Sequence, residues 1–430
     1  MIRYLLEVVL IRRTLTIAHM FNVFKGFLGQ GLFSPGSGVL RMFFTYDIVC
    51  LKRGVAMLYN KLKEYSAGGV YPMHMPGHKR NPGLLPPGLP YDIDITEIHG
   101  FDDLHNAEGV LLETAELAAA LYGSMAAFPL INGSTAGILA AIGALAARGD
   151  KILIARNNHW SVDNAASLFG LSPVYIAPGT DEASGVAMSI DPDAVKAALD
   201  EDPAIKLAVV TSPSYEGVVS DISAIAGAAH DRGVPLLVDS AHGAHLGFSP
   251  GFPASAVKSG ADVVVMSLHK TLPALTQCSL LHVCGGQADS GEIKRLLSVL
   301  QTSSPSYVLM ASIDNCLRLL ASEKDRLFEE YERNLKDFYK SAAQLKNLSI
   351  LGNKKEPQAG FFAQDTGKIV IITKNTTLSG HELADILRKE HKIELERTYT
   401  HYAIAMTSIC DNKEGFDRLS KALAEIDNAL

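Results

Sequence analysis

From Leu58 onward, short apolar runs of strand length alternate with longer Ala-rich segments of helical length. The apolar runs occupy residues 151–155, 173–176, 206–211, 235–239 and 261–267. The segments between them, such as 136–147 and 222–231, have the length and composition of crossover helices. This alternation of strands and helices predicts an α/β fold with a mostly parallel central sheet covered by helices.

The pattern changes near residue 316, where the charged run SEKDRLFEEYERNLKDFYKSAAQL is followed by short strand-like pieces and a last helix. A chain of 430 residues is also longer than one hydrophobic core usually accommodates. We therefore predict an N-terminal arm over residues 57–100, a large domain over 101–315 and a smaller C-terminal α+β domain over 316–430.

Residues 1–56 differ from the rest because they are mainly basic and apolar. They lack the charged, then apolar, then small-residue order of a cleaved targeting peptide. Two interpretations stay open: a start codon assigned too early, with Met57 as the first residue, or an additional arm. Neither apolar stretch, between Arg13 and Lys25 or between Lys25 and Arg41, is a convincing membrane span.

Charge and cysteine content narrow the choice of partners and compartment. A net charge of −7 offers no electrostatic surplus for binding nucleic acid, so we expect a small-molecule partner and neither nucleic acid nor membrane. The five cysteines are widely spaced and include no C-x-x-C pair, which argues against a disulfide framework or a zinc ribbon. The reducing cytoplasm is the expected location.

Two residues that end apolar strands suggest chemistry at one edge of the sheet. Lys270 closes the run ADVVVMSLHK, and Asp239 closes VPLLVD 31 residues earlier. Open α/β sheets bind ligands at the carboxyl ends of their strands. There a lysine amine can form a Schiff base with pyridoxal 5′-phosphate (PLP), and an aspartate can keep the pyridine nitrogen protonated. Each residue alone is equally compatible with a solvated edge lysine or a turn-capping aspartate.

The segment NGSTAG, residues 132–137, offers a phosphate site just before an Ala-rich helix. Gly133 permits close approach of the backbone, while Ser134 and Thr135 supply hydroxyl groups beside the amides of a helix N-terminus. Ser267 adds a further hydroxyl, three residues before Lys270. The same segment is also compatible with an ordinary helix cap.

Histidines give a weaker signal. His159 follows the strand 151–155 and would lie at the same edge of the sheet, where its ring can stack on a flat cofactor. Metal binding is an alternative for the other histidines, but no group of them has the spacing of a zinc signature, and we predict no metal. These residues are His74, His78, His99 and His105, together with the H-x-x-H pair His242 and His245.

Several separated motifs between Tyr59 and Asp314 resemble one family. They are MHMPGHKR, DITEIHGFDDLHNAEG, NGSTAG, RNNH, TSPSYEG, VDSAHGAH, SLHKTLPALTQ and QTSSPSYVLMASID. In this combination they resemble the ornithine/lysine/arginine decarboxylases built on the aminotransferase-like fold, fold type I of the PLP enzymes. The chain resembles a short form that lacks the N-terminal wing domain. Trp160 departs from the pattern, because a lysine is usual after the histidine of the RNNH motif.

The resemblance implies a role for each candidate residue. Lys270 would be the Schiff-base lysine, Asp239 the pyridinium partner and His159 the ring-stacking histidine. The residues lining the ring, the phosphate and the Schiff base would be Gly133, Ser134, Thr135, Ala241, His242, Ser267 and His269. The family also implies a homodimer or larger homo-oligomer with the site at the subunit boundary, where Thr302, Ser303 and Ser304 would serve the neighbouring site.

The reaction implied by the resemblance is decarboxylation of lysine, arginine or ornithine, with His269 or Lys270 returning a proton to Cα. The fold leaves alternatives open: an aminotransferase or lyase using PLP, or a PLP-binding or partner-binding protein without catalysis. Four acidic residues are candidates for contacting the distal cation of a basic substrate: Glu97, Asp102, Asp103 and Glu108.

Overall fold

The computed structural model describes residues 58–352 and 359–430. The two interpretations of residues 1–56 therefore lie outside the described residues. In the described part of the chain, no helix is both long and apolar enough to cross a membrane.

The strands are introduced here in chain order. They are β1 (Ala126–Leu130), β2 (Lys151–Ala155), β3 (Ser172–Ile176), β4 (Ile205–Thr211), β5 (Val218–Val219), β6 (Leu236–Asp239), β7 (Val263–Ser267), β8 (Ser279–Val283), β9 (Ser349–Ile350), β10 (Ala363–Gln364), β11 (Lys368–Ile372), β12 (Arg397–Thr398) and β13 (Tyr402–Met406).

The α-helices follow the same numbering rule. They are α1 (Leu58–Ala67), α2 (Val110–Tyr122), α3 (Gly133–Leu145), α4 (Trp160–Phe169), α5 (Pro192–Glu201), α6 (Ile222–His230), α7 (Leu268–Thr271), α8 (Ser290–Leu300), α9 (Tyr307–Ala342), α10 (Gly380–Glu390) and α11 (Lys413–Ala429). Short 3₁₀ turns occupy Leu104–Asn106 and Ala256–Lys258.

A seven-stranded sheet in the order β1-β8-β7-β6-β4-β2-β3 forms the centre of the molecule. The pairs β7·β6, β6·β4, β4·β2 and β2·β3 are parallel, and only β8 runs against its neighbours β1 and β7. The mostly parallel sheet predicted from the sequence is confirmed. Its predicted strands correspond to β2, β3, β4, β6 and β7, which carry the carboxyl edge of the sheet.

Helices cover both faces of this sheet, which explains the continuous apolar runs of the central strands. Every residue of β6, β7 and β8 is buried. Helix α3 packs closely on the sheet because Gly137 has no side chain: a Cβ there would lie 2.6 Å from Leu130 Cδ1. This close packing fixes the N-terminus of α3 against the sheet edge.

A second, antiparallel sheet in the order β12-β13-β11-β9 forms in the C-terminal part, with helices α10 and α11 nearby in the chain. The short pair β5·β10 joins a loop of the large sheet to the segment just before β11. This pairing brings the start of β11 to the carboxyl edge of the central sheet. Helix α9 runs without a break through the predicted boundary at residue 316, and the domain boundaries stay predictions.

Candidate active site

Asp239 and Lys270 meet because neighbouring parallel strands end at the same edge of the sheet. Strand β6 ends at Asp239, whose register partner on β7 is Val265. Strand β7 ends at Ser267, and the single-turn helix α7 then carries Lys270 back over this edge. The loop after β6 brings in His242, whose Nε2 lies 3.1 Å from Lys270 Nζ. The Asp239 carboxylate acts electrostatically on Lys270, so the two strand-end residues lie near each other at this edge.

Lys270 is partly buried, and burial makes its amine easier to deprotonate than a lysine in water. Burial lowers the pKa of the Lys270 amine, while the carboxylates of Asp239 and Glu396 oppose that shift. A neutral amine is the form that attacks an aldehyde carbon. Lys270 thus has the chemistry of a nucleophilic lysine.

Asp239 is 2% exposed and accepts one hydrogen bond, 3.1 Å long, from the backbone N–H of Ala241. Burial raises the pKa of Asp239, while that hydrogen bond and the charges of Lys270 and His159 act in the opposite direction. Among the described residues it forms no salt bridge. The buried negative charge of Asp239 is stabilised by few hydrogen bonds or opposite charges. A protonated ring nitrogen placed against the carboxylate would supply the missing partner.

The backbone around Ala241 holds the two strand ends together. The Ala241 carbonyl accepts a hydrogen bond of 3.3 Å from the backbone N–H of Ser267. Its own N–H is the donor to Asp239, so Ala241 links the end of β6 to the end of β7. The orientation of the Asp239 carboxylate is thereby tied to the position of Ser267.

His159 begins helix α4, and its Nδ1 accepts a hydrogen bond of 3.2 Å from the backbone N–H of Ser161. Burial of part of the ring lowers the pKa of His159. The charge of Asp239 raises this pKa, and the charge of Lys270 lowers it further. Those charge effects show that His159 lies near Asp239 and Lys270. The neighbouring Trp160 is 67% exposed, with its ring centroid 5.4 Å from that of His159.

Hydroxyl groups converge at the start of α3. Ser134 Oγ lies 2.6 Å from Ser267 Oγ and 3.3 Å from Ser279 Oγ. Gly133 has a φ of +73°, and the space that a Cβ would occupy is open. The Asn132 side chain does not cap the helix, because its Oδ1 accepts the backbone N–H of Thr302 at 3.2 Å. Thr135 is exposed beside this open turn. This arrangement of hydroxyl groups fits a phosphate. Ser279 was not predicted as a phosphate-site residue because nothing in the sequence distinguishes it from other residues of a strand.

His269 points its Nδ1 at the Cys278 carbonyl oxygen, 3.0 Å away. That acceptor requires a proton on Nδ1 and leaves Nε2 with a lone pair. Burial lowers the pKa of His269, which favours the neutral form of the ring. A neutral imidazole beside Lys270 can accept or pass on a proton through Nε2.

Two further residues reach the site from the C-terminal part of the chain, and sequence reasoning missed both. Lys368, at the start of β11, is 1% exposed, and its Nζ lies 3.1 Å from His242 Nδ1. Glu396 precedes β12 and accepts a hydrogen bond from the Tyr215 hydroxyl. The Tyr215 ring packs against His242 with 4.5 Å between centroids. The only local signal was a lysine opening the apolar run KIVIIT.

Two of the four acidic candidates for the distal cation accept hydrogen bonds from the backbone. Asp102 accepts hydrogen bonds from the backbone N–H groups of Glu108, Gly109 and Leu111 just before and at the start of α2. Asp103 caps the turn Leu104–Asn106. Among the described residues no group of three or more His, Cys, Asp or Glu is arranged to hold a metal ion.

The fold and the strand-end lysine and aspartate together define the class of protein: an aminotransferase-like α/β protein of fold type I. The alanine–glyoxylate aminotransferase of Nostoc sp. superposes with a TM-score of 0.60 at 15% identity, over 75% of this chain and 88% of that one. The Francisella novicida lysine decarboxylase LdcF superposes with a TM-score of 0.75 at 19% identity, over 88% of this chain. Only 60% of the LdcF chain is covered.

Sequence comparison then identifies the family. The model of the Orn/Lys/Arg decarboxylase major domain matches residues 56–362, and this chain belongs to that family. The arginine decarboxylase of Bacillus subtilis is 33% identical over 375 residues, which cover 86% of this chain and 76% of that protein. The family predicted from the separated motifs is confirmed.

Proposed function

We propose that this protein is a PLP-dependent decarboxylase of a basic amino acid, with Lys270 as the residue that holds the cofactor covalently. The observation that supports it most directly is the meeting of Lys270 and the poorly compensated carboxylate of Asp239 at one sheet edge. Membership of a decarboxylase family and relatives named arginine and lysine decarboxylase support the reaction.

The residues present fit the cofactor. Asp239 would face the pyridine nitrogen, His159 one face of the ring, and Ala241 and His242 its surroundings. Gly133, Ser134, Thr135 and Ser267, with Ser279, would hold the phosphate. Bound PLP supplies an electron sink for the electron pair left when a carboxylate departs as CO₂.

The chain's own residues would orient the substrate and move protons. Lys270 would hold the cofactor, and its amine would remain within the site while a substrate is bound. His269 Nε2, once it has accepted a proton, or Lys270 in its ammonium form would return a proton to Cα, since both lie at the same sheet edge and neither forms a salt bridge in the described part of the chain. Burial of Asp239 and His242 keeps water from the inner side of the site.

Recognition of a basic substrate requires an acidic group near Lys270, and Glu396 meets that requirement. Its carboxylate acts electrostatically on both Lys270 and Lys368, yet its side chain stays exposed to an incoming ligand. Arg397, the next residue, lies over the Tyr215 ring at 5.2 Å and offers a guanidinium group for a substrate carboxylate. We infer that Glu396 contacts the distal cation of arginine, lysine or ornithine.

Glu396→Gln is expected to raise KM for the basic substrate by roughly tenfold with a smaller effect on kcat, because a charge-assisted hydrogen bond becomes a neutral one. Steady-state CO₂ release as a function of substrate concentration measures it. Glu394→Gln is the matched control, because Glu394 is an exposed carboxylate two residues before Glu396 and pairs with Arg388. It should leave KM unchanged. Equal KM values for the wild type and Glu396→Gln would remove Glu396 from substrate recognition.

We further propose that the protein forms a homodimer or larger homo-oligomer in the cytoplasm. The active site would lie at the subunit boundary. A run of exposed apolar side chains near the amino end of the described region supports an association surface: Val70, Tyr71, Met73, Met75, Leu84 and Leu89. The described cysteines Cys278, Cys284, Cys316 and Cys410 are unpaired, as in a reducing compartment.

One preparation tests the whole proposal. The purified full chain is mixed with PLP, its visible absorbance is recorded, its mass is measured by light scattering, and CO₂ release is assayed with arginine, lysine and ornithine. We expect a yellow protein of at least twice the chain mass that releases CO₂ from one of them. A protein that stays colourless with added PLP overturns the proposal, while a yellow protein that forms a keto acid instead of CO₂ points to an aminotransferase.

A further inference from the structure

The His242 ring lies between two lysine amines. Its Nε2 is 3.1 Å from Lys270 Nζ, and its Nδ1 is 3.1 Å from Lys368 Nζ. His242 is 6% exposed and Lys368 is 1% exposed, so neither of their groups can exchange its partner for bulk water. The two lysines are thus joined through one buried imidazole.

The hydrogen bonds among Lys270, His242 and Lys368 limit how many protons these three side chains can hold together. A neutral imidazole has one N–H and one lone pair, whereas an ammonium group can only donate. If both lysines were ammonium groups, one of them would face the ring N–H without an acceptor. Burial, together with the charges of both lysines, lowers the pKa of His242 well below its usual value, so the ring is not an imidazolium. With a neutral ring that keeps both hydrogen bonds, at least one of the two lysines is the neutral amine.

We propose that Lys270, His242 and Lys368 share one ammonium charge, and that Lys368 is a positioning residue that takes up the Lys270 proton through His242. In this step a proton passes from Lys270 Nζ to His242 Nε2, while the proton on His242 Nδ1 passes to Lys368 Nζ. The imidazole ends neutral in its other tautomer, and the total charge of the three groups stays the same. Lys270 is left as the free amine that can attack an aldehyde.

Charged groups act on both lysines of this hydrogen-bonded trio. Asp239 and Glu396 raise the pKa of Lys270 against the effect of burial. Burial lowers the pKa of Lys368 to about 8, against the carboxylates of Asp365 and Glu396. The other titratable groups facing the three residues are the imidazoles of His159 and His269 and the phenol of Tyr215, whose ring centroid lies 4.5 Å from that of His242.

Asp365 is the fixed counter-charge at the Lys368 end. It is fully buried, its Oδ1 lies 3.1 Å from His245 Nε2, and it accepts the Gly367 N–H at 2.9 Å. Its other oxygen, Oδ2, has no hydrogen-bond partner in the described part of the chain. A buried carboxylate in this state stabilises a proton arriving on Lys368.

The role in cofactor capture rests on the proposed function, but the sharing of one proton can be tested without the cofactor. The cofactor-free full chain is labelled with a trace amine-reactive anhydride at a series of pH values, and the modified lysines are quantified by mass spectrometry. The midpoint of the labelling curve of Lys270 reports how readily that amine loses its proton.

Two substitutions at Lys368 should move that midpoint in opposite directions. Lys368→Met removes the second proton acceptor and should raise the midpoint by about one pH unit, which is about a tenfold loss of free Lys270 amine near neutral pH. Lys368→Arg places a permanent cation against Nδ1, which forces the ring proton onto Nε2, so it should lower the midpoint. Lys374→Met, an exposed lysine just beyond β11, is the matched control and should leave the curve unchanged.

A change of packing alone would shift both Lys368 variants the same way or neither, and either result overturns the proposal. Thermal unfolding of each variant shows whether it is folded. If neither variant folds, the labelling curves of the wild-type protein are compared. A Lys270 curve that coincides with the Lys374 curve contradicts the proposal, and a Lys270 curve displaced to lower pH supports it. PLP binding by the wild type is scored separately, so failure to bind overturns the proposed function and leaves the labelling result standing.

Discussion

Lys270→Ala is expected to abolish covalent capture of PLP and to lower CO₂ release by roughly 10⁴-fold, the upper range for one positioned acid–base group. The amine is the proposed point of attachment and one of two candidates for returning a proton to Cα. The fold should persist, because the substitution removes a partly buried amine whose pKa is already lowered by burial. Borohydride reduction of the PLP-loaded protein, followed by peptide mass spectrometry, measures the attachment directly.

Lys258→Ala is the matched control for this experiment, since Lys258 is an exposed lysine in the 3₁₀ turn before β7. It should retain both the PLP mass on Lys270 and the full rate of CO₂ release. A reduced PLP mass found on a lysine other than Lys270 in the wild type would show that the cofactor is held elsewhere.

Asp239→Asn is expected to lower kcat by on the order of 10²–10³-fold, because removing one partner of a buried charge pair costs about 3–5 kcal/mol. The asparagine amide oxygen can still accept the Ala241 N–H, so the local backbone should not change. PLP should still attach through Lys270. The Asp239 carboxylate raises the pKa of Lys270, so its loss should move Lys270 deprotonation to lower pH.

The measurement is kcat for CO₂ release, together with the pH dependence of Lys270 labelling in the cofactor-free variant. Asp231→Asn, an exposed aspartate that follows α6, serves as the matched control. An Asp239→Asn protein with the wild-type kcat would mean that no charge at this position is needed, and the proposed partner of the ring nitrogen would be wrong.

The strands that carry the site were predictable from the chain alone because they are buried on both faces. Strands β4, β6 and β7 consist almost entirely of buried residues, and such strands read as continuous apolar runs. Strand β1 was missed because Pro129 interrupts its pattern, and proline normally argues against a strand. The structure accommodates Pro129 because β1 lies at the edge of the sheet.

The pairing of Lys270 with Asp239 was also predictable, because both residues follow directly from the ends of neighbouring parallel strands. The segment 132–137 was recognisable as a candidate phosphate site for a similar local reason, since it forms the N-cap and the first residues of helix α3. In these cases chain neighbours determine the position of each functional group, so a short stretch of sequence carries the information.

Lys368 and Glu396 had no such local signal. Lys368 meets His242 across 126 residues of chain, and Tyr215 meets Glu396 across 181. Their approach depends on how the β5·β10 pair places the C-terminal sheet, and their protonation depends on the burial that this packing creates. Sequence patterns indicate which strand or helix a residue occupies. Which distant charge it faces, and how little water reaches it, is set only when the separate elements pack together.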